Sequence, residues 1–230
     1  DVVCLIGNGL GDRMQHDGWV EALIQKELPD HKLSFRNLAY SGDTVTSRPR
    51  NKGFTPHEKY LAHCKADVLF VFFGYNESFA GEKGIEGFKK DLSGMIDKYR
   101  ALKFNGESES RFVLFSPIAH ENLNDPNMPD GSANNARLQL YTRAIAEVAK
   151  AKKVAFVDLF TPSQLLYQQS EKPLTLNGIH PLAGGNKALA GVITTAITGK
   201  TAKADDSLEP IRQAVIDKNW HWHNRYRATD

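Results

Sequence analysis

The chain has 230 residues, 41% of them hydrophobic and 24% charged, and a formal net charge of +2. That length suffices for one substantial core, while the small charge and the absence of a dense Lys/Arg block argue against nucleic acid as a partner. No apolar run is long enough to span a bilayer, so no membrane partner is expected. Val2 to Ile6 is an apolar run of strand length that contains Cys4 and halts at Gly7-Asn8-Gly9, with a polar loop from Leu10 to Arg13. Trp19, Val20, Ala22, Leu23 and Ile24 recur at helical spacing, and Pro29 ends that helix. Leu33 to Leu38 is a second strand, followed by Ala39-Tyr40-Ser41-Gly42-Asp43 and a polar, Arg-containing loop through Gly53. Thr55-Pro56 opens a helix through Tyr60, Leu61 and Cys64.

Asp67 to Phe73 is the clearest buried strand and stops at Gly74-Tyr75-Asn76-Glu77-Ser78. Phe88, Leu92, Met95, Ile96 and Tyr99 give an amphipathic helix. Arg111 to Ser116 is another strand, running into Pro117-Ile118-Ala119-His120-Glu121. Residues 124–135 read as a mobile surface loop, Leu138 to Ala149 as a helix and Val154 to Leu159 as the last strand. Leu176-Asn177-Gly178-Ile179-His180 precedes a small-residue helix, Ala183 to Ile197. Gly199 to Ser207 is a linker, and Leu208, Ile211, Ala214 and Val215 form one face of a short helix. An aromatic and cationic tail, Trp220 to Arg227, follows. Repeated strand–helix units predict an α/β fold with a parallel sheet covered by helices on both faces. Ligands of such sheets bind at the carboxyl edge.

Four loops at that edge resemble the sequence blocks of the SGNH (GDSL-type) hydrolase family. Gly7-Asn8-Gly9-Leu10 is similar to its Gly-Asp-Ser-Leu block, and Ser41-Gly42-Asp43 to the block whose Gly helps form an oxyanion hole. Gly74-Tyr75-Asn76-Glu77 is similar to Gly-x-Asn-Asp, whose Asn completes that hole. Asn177-Gly178-Ile179-His180 is similar to Asp-x-x-His, which supplies the general base and its orienter. The resemblance implies a flavodoxin-like three-layer α/β/α sandwich with a parallel sheet of about five strands. It divides the chain into a family-like domain, 1–198, and a C-terminal part, 199–230, of linker, short helix and aromatic/basic segment. A divergent secreted bacterial branch is similar in its Arg-Asn-Leu and Asn-Gly-Ile-His motifs and in a Trp-containing tail that closes on Asn-Arg-Tyr-Arg, here Asn224 to Arg227. The chain opens directly in strand sequence, and its aromatic and cationic end reads as cut off rather than finished. It therefore reads as a trimmed part of a longer secreted or periplasmic chain, with other domains as possible partners.

Two positions depart from the family. Gly9 stands where the nucleophilic Ser belongs, and Asn177 where an Asp orients the imidazole. In serine hydrolases Asp→Asn in that role favours the wrong His tautomer and costs roughly 10⁴ in turnover. The resemblance then implies catalysis by His180, Asn76 and Gly42, with Asp43 and Glu77 as replacement carboxylates. Asn8, Gly9, Asp12, His16, Arg48, Glu121 and Asn177 are candidates for substrate contact. Plainer roles compete: helix capping for Asp12 and Asp43, loop hydrogen bonding for His16 and His120, and packing for Arg13, Arg36, Arg48 and Arg50. Trp220, Trp222 and Tyr226 read better as docking onto the domain than as sugar-stacking platforms. No ligand-spaced Cys/His motif suggests a metal, and no cofactor is expected. Three functions remain: a carbohydrate-acting hydrolase with a replaced nucleophile, a non-catalytic glycan- or ligand-binding module, and a scaffold domain. Carboxylate chemistry on a glycan and water activated by His180 are both open within the first.

Overall fold

The computed structural model describes residues 1–51 and 55–227. Five parallel strands, β1 (Val2–Gly7), β2 (Ser34–Asn37), β3 (Val68–Phe72), β4 (Arg111–Phe115) and β5 (Ala155–Val157), pair in the order β2-β1-β3-β4-β5. This is the flavodoxin-like order, which reverses between β1 and β3 and leaves a crevice at their carboxyl ends. Gly7 ends β1 there with φ +135°, and a Cβ at this position would meet the Phe72 carbonyl oxygen at 2.3 Å. Only glycine fits.

The helices are α1 (Gly9–Asp17), α2 (Trp19–Glu27), α3 (His57–Cys64), α4 (Ile85–Leu102), α5 (Ser132–Lys152), α6 (Phe160–Gln169), α7 (Ala183–Thr198) and α8 (Glu209–Trp222). Strand side chains alternate between two cores, as the pleat requires. Cys4, Ile6, Leu69, Val71, Phe73, Phe112 and Leu114 pack with residues of α3, α4 and α5. Val3, Leu5, Phe70, Phe72 and Phe115 pack with residues of α1, α2, α7 and α8. The sheet is therefore the middle of three layers. Among the described residues no helix is long and apolar enough to cross a membrane.

Three segments differ from the sequence expectation. The supposed polar loop at Leu10–Arg13 is the start of α1, capped by Asn8, whose side chain accepts the Leu10 N–H at 3.3 Å. Gly9 and Gly11 make this a poor helix on propensity. Tertiary contact overrides that: Asn37 Nδ2 donates to the Gly11 carbonyl at 2.7 Å, and a Cβ on Gly11 would press on the Phe72 ring at 3.0 Å. The predicted loop 124–135 ends early because Ser132 already opens α5. α6 has no counterpart in the sequence reading.

The C-terminal segment is a continuous rod, longer than the short helix expected, and it docks onto the domain through Trp222. α8 passes into a π-helical turn, His223–Arg227. Lys218 joins Glu21 of α2 at 2.6 Å, and Asn219 Nδ2 donates to the Gln15 carbonyl at 3.1 Å. The Trp222 indole is buried and donates to the Asn37 carbonyl at 2.8 Å. The rod thus lies along the outer flank of β2 and α1.

Candidate active site

A cleft of about 270 Å³ opens at the carboxyl ends of β1, β3 and β4. Its floor is apolar, formed by Phe72, Phe73, Pro117 and Ile118, and its mouth carries Asn8, Gly9, Ser41, Gly42, Tyr75, Asn76 and His180. A Cβ built on Gly9 would lie 3.8 Å from His180 Nε2 and 3.2 Å from Ser41 Oγ. The missing side chain of Gly9 therefore marks the point between the imidazole and the Ser41 hydroxyl.

The His180 wall is tied down by its own neighbours. Asn177 Oδ1 lies 2.9 Å from His180 Nδ1 and accepts the His180 backbone N–H at 3.2 Å. A backbone N–H can only donate, so the amide turns its oxygen to the ring and Nδ1 carries the proton. Nε2 is left as the free base facing the cleft. The expected loss of tautomer control with Asn177 does not arise in this geometry, and Asn177 serves the imidazole rather than the cleft lining. Burial, helped by the nearby Arg13 cation, lowers the His180 pKa. Beneath the loop, the Glu121 carboxylate accepts the N–H groups of Leu174 (3.0 Å) and Thr175 (2.7 Å) and the Thr175 hydroxyl (2.6 Å). Gly178, at φ +86°, rides on the His120 ring, where a Cβ would come within 2.2 Å of Nε2. His120 is buried and its Nδ1 meets the Asn134 amide at 2.9 Å, a supporting role.

The Ser41–Gly42 wall rests on charge. Asp43 is 1% exposed, and burial lifts its carboxyl to about 6 while Arg48 and Arg227 pull it down. Its backbone carbonyl accepts Asn76 Nδ2 at 2.9 Å, which fixes the Asn76 amide and leaves its second N–H. Glu77 spans two loops, accepting the Val45 N–H through Oε1 and the Gly74 N–H through Oε2, both at 2.9 Å. The Arg227 guanidinium reaches beneath the loop, donating to the Leu38 carbonyl at 2.9 Å and lying 4.2 Å over the Tyr40 ring. The Tyr40 hydroxyl in turn donates to the Arg227 carbonyl.

The cleft therefore brings together Asn8, Gly9, Gly42, Asn76 and His180 from the sequence candidates. Asp43, Glu77 and Glu121, expected as cleft carboxylates or contacts, lie behind it, the last two occupied by backbone N–H groups. Asp12 sits within α1 and accepts Gln15 Nε2 at 2.8 Å instead of capping the helix. Burial raises its pKa, against the pull of His16. His16 stands apart from the cleft, edge-on to the His223 ring at 6.2 Å. Arg48 points inward over Phe73 at 5.4 Å, with Nη2 3.7 Å from Met95 Sδ. No carboxylate lines the cleft among the described residues, so the expected carboxylate chemistry has no groups there. Among those residues no cluster of His, Cys, Asp and Glu could hold a metal ion. The sequence reading passed over Ser41, Tyr75 and Ser116 in the lining, and left open whether the Arg225-Tyr226-Arg227 segment folds over the site; Arg227 lies behind it.

The family model of the GDSL-like lipase/acylhydrolase family matches residues 6–188. Comparison with curated proteins gives no match. Among solved structures, a catalytic mutant of an acetylxylan esterase from Geobacillus stearothermophilus superposes with a TM-score of 0.67 at 16% identity, covering 89% of this chain and 97% of that one. An alpha/beta hydrolase enzyme from the metagenome of Lake Arreo gives 0.64 at 18%, covering 85% and 94%. A gut microbial diltiazem-metabolizing enzyme gives 0.66 at 19%, covering 85% of this chain and 46% of that one. These likenesses establish the fold. The family match spans most of the chain, which belongs to the GDSL-like lipase/acylhydrolase family, a family of hydrolases.

Proposed function

We propose that the cleft hydrolyses short-acyl esters of carbohydrates, with His180 as general base. The observation that carries this reading is the open point beside Gly9, faced by a neutral imidazole Nε2 at 3.8 Å. A carbonyl carbon placed there would have three donors around its oxygen. Gly9 opens α1, so its N–H has no intrahelical acceptor. The Gly42 N–H has no partner among the described residues, and Asn76 keeps one amide hydrogen. Such preorganised donors are worth about 10²–10³ each in turnover where charge develops on oxygen. His180 would take a proton from the attacking group and return it to the leaving alcohol.

Gly9 stands in the position of the family's Ser, so the attacking group must come from elsewhere in the cleft or from water. The size of the cavity supports a small acyl group, since about 270 Å³ is below the usual range of ~300–1,000 Å³ for drug-sized ligand pockets. Its apolar floor suits a methyl or ethyl group, with the sugar left at the polar mouth. The acetylxylan esterase likeness favours carbohydrate as the alcohol. Glycoside cleavage by paired carboxyl groups is disfavoured, because such a pair must flank the bond within roughly 5–9.5 Å and none lines the cleft.

A product screen by chromatography and mass spectrometry tests this, using acetylated and plain polysaccharides, aryl esters and a His180→Ala control. Acetate or aryl alcohol released only by the unmutated chain is expected. Sugar fragments in place of acetate would overturn the ester reading. No product from any substrate would shift the assignment to a non-catalytic glycan-binding module.

A further inference from the structure

We infer that Ser41 supplies the nucleophile, its hydroxyl bordering the gap left by Gly9; this rests on the ester-hydrolase reading above. Three hydroxyl side chains line the cleft: Ser41, Tyr75 and Ser116. Ser116 is spent, since its hydroxyl donates to the Pro117 carbonyl at 3.0 Å and accepts the Leu159 and Phe160 N–H groups at 2.7 and 3.0 Å. A hydroxyl has one proton and two lone pairs, so nothing remains for attack. Tyr75 is a phenol whose ionisation burial makes harder still. Ser41 is exposed, and its hydroxyl has no hydrogen-bond partner among the described residues.

Its direction fits as well. Ser41 Oγ lies 3.2 Å from the Cβ point of Gly9 and its own Cβ lies 3.9 Å away, so the hydroxyl leads into the gap. His180 Nε2 lies 3.8 Å from the same point, without a direct hydrogen bond to Ser41 Oγ. The base and the hydroxyl thus belong to different loops, after β2 and before α7, and both face the amino end of α1. The residue after Ser41 is Gly42, with φ +91° and an unpartnered N–H. A nucleophile followed directly by an oxyanion donor is the arrangement that serine hydrolases with a nucleophile elbow use. Glycine at position 9 leaves the hydroxyl room: a Cβ 3.2 Å from Ser41 Oγ would press on it and shift its direction.

The chemistry closes with water as the only co-reactant. Ser41 Oγ bonds to the ester carbonyl carbon while its proton passes to His180 Nε2, through one bridging water or after the hydroxyl turns into the gap. The C–O bond to the sugar then breaks, and that proton leaves with the sugar oxygen. Water attacks the acyl-Ser41 ester, giving its proton to Nε2, and the free acid departs as the proton returns to Ser41 Oγ.

The test combines hydrolysis of an aryl acetate with labelling by a fluorophosphonate, followed by peptide mapping. In the unmutated chain the label is expected on the peptide containing Ser41, with fluoride lost. It should be absent in Ser41→Ala and slowed in His180→Ala. Ser41→Ala should lose at least about 10³-fold in turnover at an unchanged melting temperature, because the hydroxyl holds nothing in place. Gly9→Ala should impair both labelling and turnover. Hydrolysis that survives Ser41→Ala, or a label on another residue, would overturn the assignment and leave the esterase reading standing, with His180 activating water. Failure of the unmutated chain to hydrolyse any ester would remove both.

Discussion

On the His180 side of the cleft, the loop from Leu174 to Leu182 is held by groups close to it in the fold and mostly neutral toward one another. Glu121 gathers three donors, Gly178 rides on His120, and Asn177 fixes the imidazole. On the Ser41 side, the loop from Tyr40 to Ser47 sits on the buried charges of Asp43 and Arg227 and the half-buried Arg48, with Glu77 tying it to the loop after β3. The difference teaches where precision and adjustability reside. Hydrogen bonds set the base in one tautomer and one direction. The other wall depends on a balance of desolvated charges, one supplied by the C-terminal rod.

The predictions probe that contrast. Replacing His180 by Ala removes the base and should lower turnover by about 10²–10⁴-fold on aryl acetates, with an unchanged circular dichroism spectrum. Glu121→Ala strips the first wall of its pin and leaves three donors unpaired. At about 1.5–3 kcal/mol per hydrogen bond to a charged group and roughly 2–4 °C per kcal/mol, scanning calorimetry should show a fall of roughly 10 °C or more. Arg227→Ala should act on the other wall, lowering kcat about tenfold with little change in KM. Arg227→Lys should not restore it, because an ammonium cannot stack flat on Tyr40 while donating to Leu38. A matching shift in the acid limb of the Arg227→Ala pH profile would show that the walls are not independent.

Protonation gives finer tests. His180 is lowered by burial and then by Arg13, so the neutral base persists below the ordinary His value of about 6.5. Activity should be full at neutral pH and fall only as the pH drops through that lowered value. Arg13→Gln should move the midpoint upward. Asp43 has the opposite sign: its carboxyl is raised to about 6 by burial, so the folded state holds a proton that the unfolded chain releases near 4. Ionised Asp43 therefore costs stability at neutral pH. Asp43→Asn should raise the melting temperature at pH 7.5, lose that advantage near pH 4, and leave turnover within about threefold, since it contributes no group to the cleft.

The first wall was far more legible in the sequence than the second. Asn177 and His180 are three residues apart in a loop before a helix, so their pairing is local. The central strands were also plain, because Val68–Phe72 is a continuous apolar run. Carboxylates after strands could be placed at the correct edge, but not assigned a direction. Glu77 and Glu121 turn to backbone N–H groups that no pattern advertises. Ser41 reads as an ordinary turn residue until β1 and β2 lie side by side. Arg227 is farther still: its partners Leu38 and Tyr40 belong to the opposite end of the chain. α1 was missed because its glycines oppose a helix that only packing on Phe72 and Asn37 sustains.

The central claim is that His180 drives removal of a short acyl group from a carbohydrate. A proton NMR time course on acetylated xylo-oligosaccharide, with the unmutated chain and His180→Ala side by side, tests it most directly. The account predicts a free-acetate methyl signal growing only with the unmutated chain, and anomeric signals showing no new reducing ends. New reducing ends, or acetate appearing equally with His180→Ala, would contradict it.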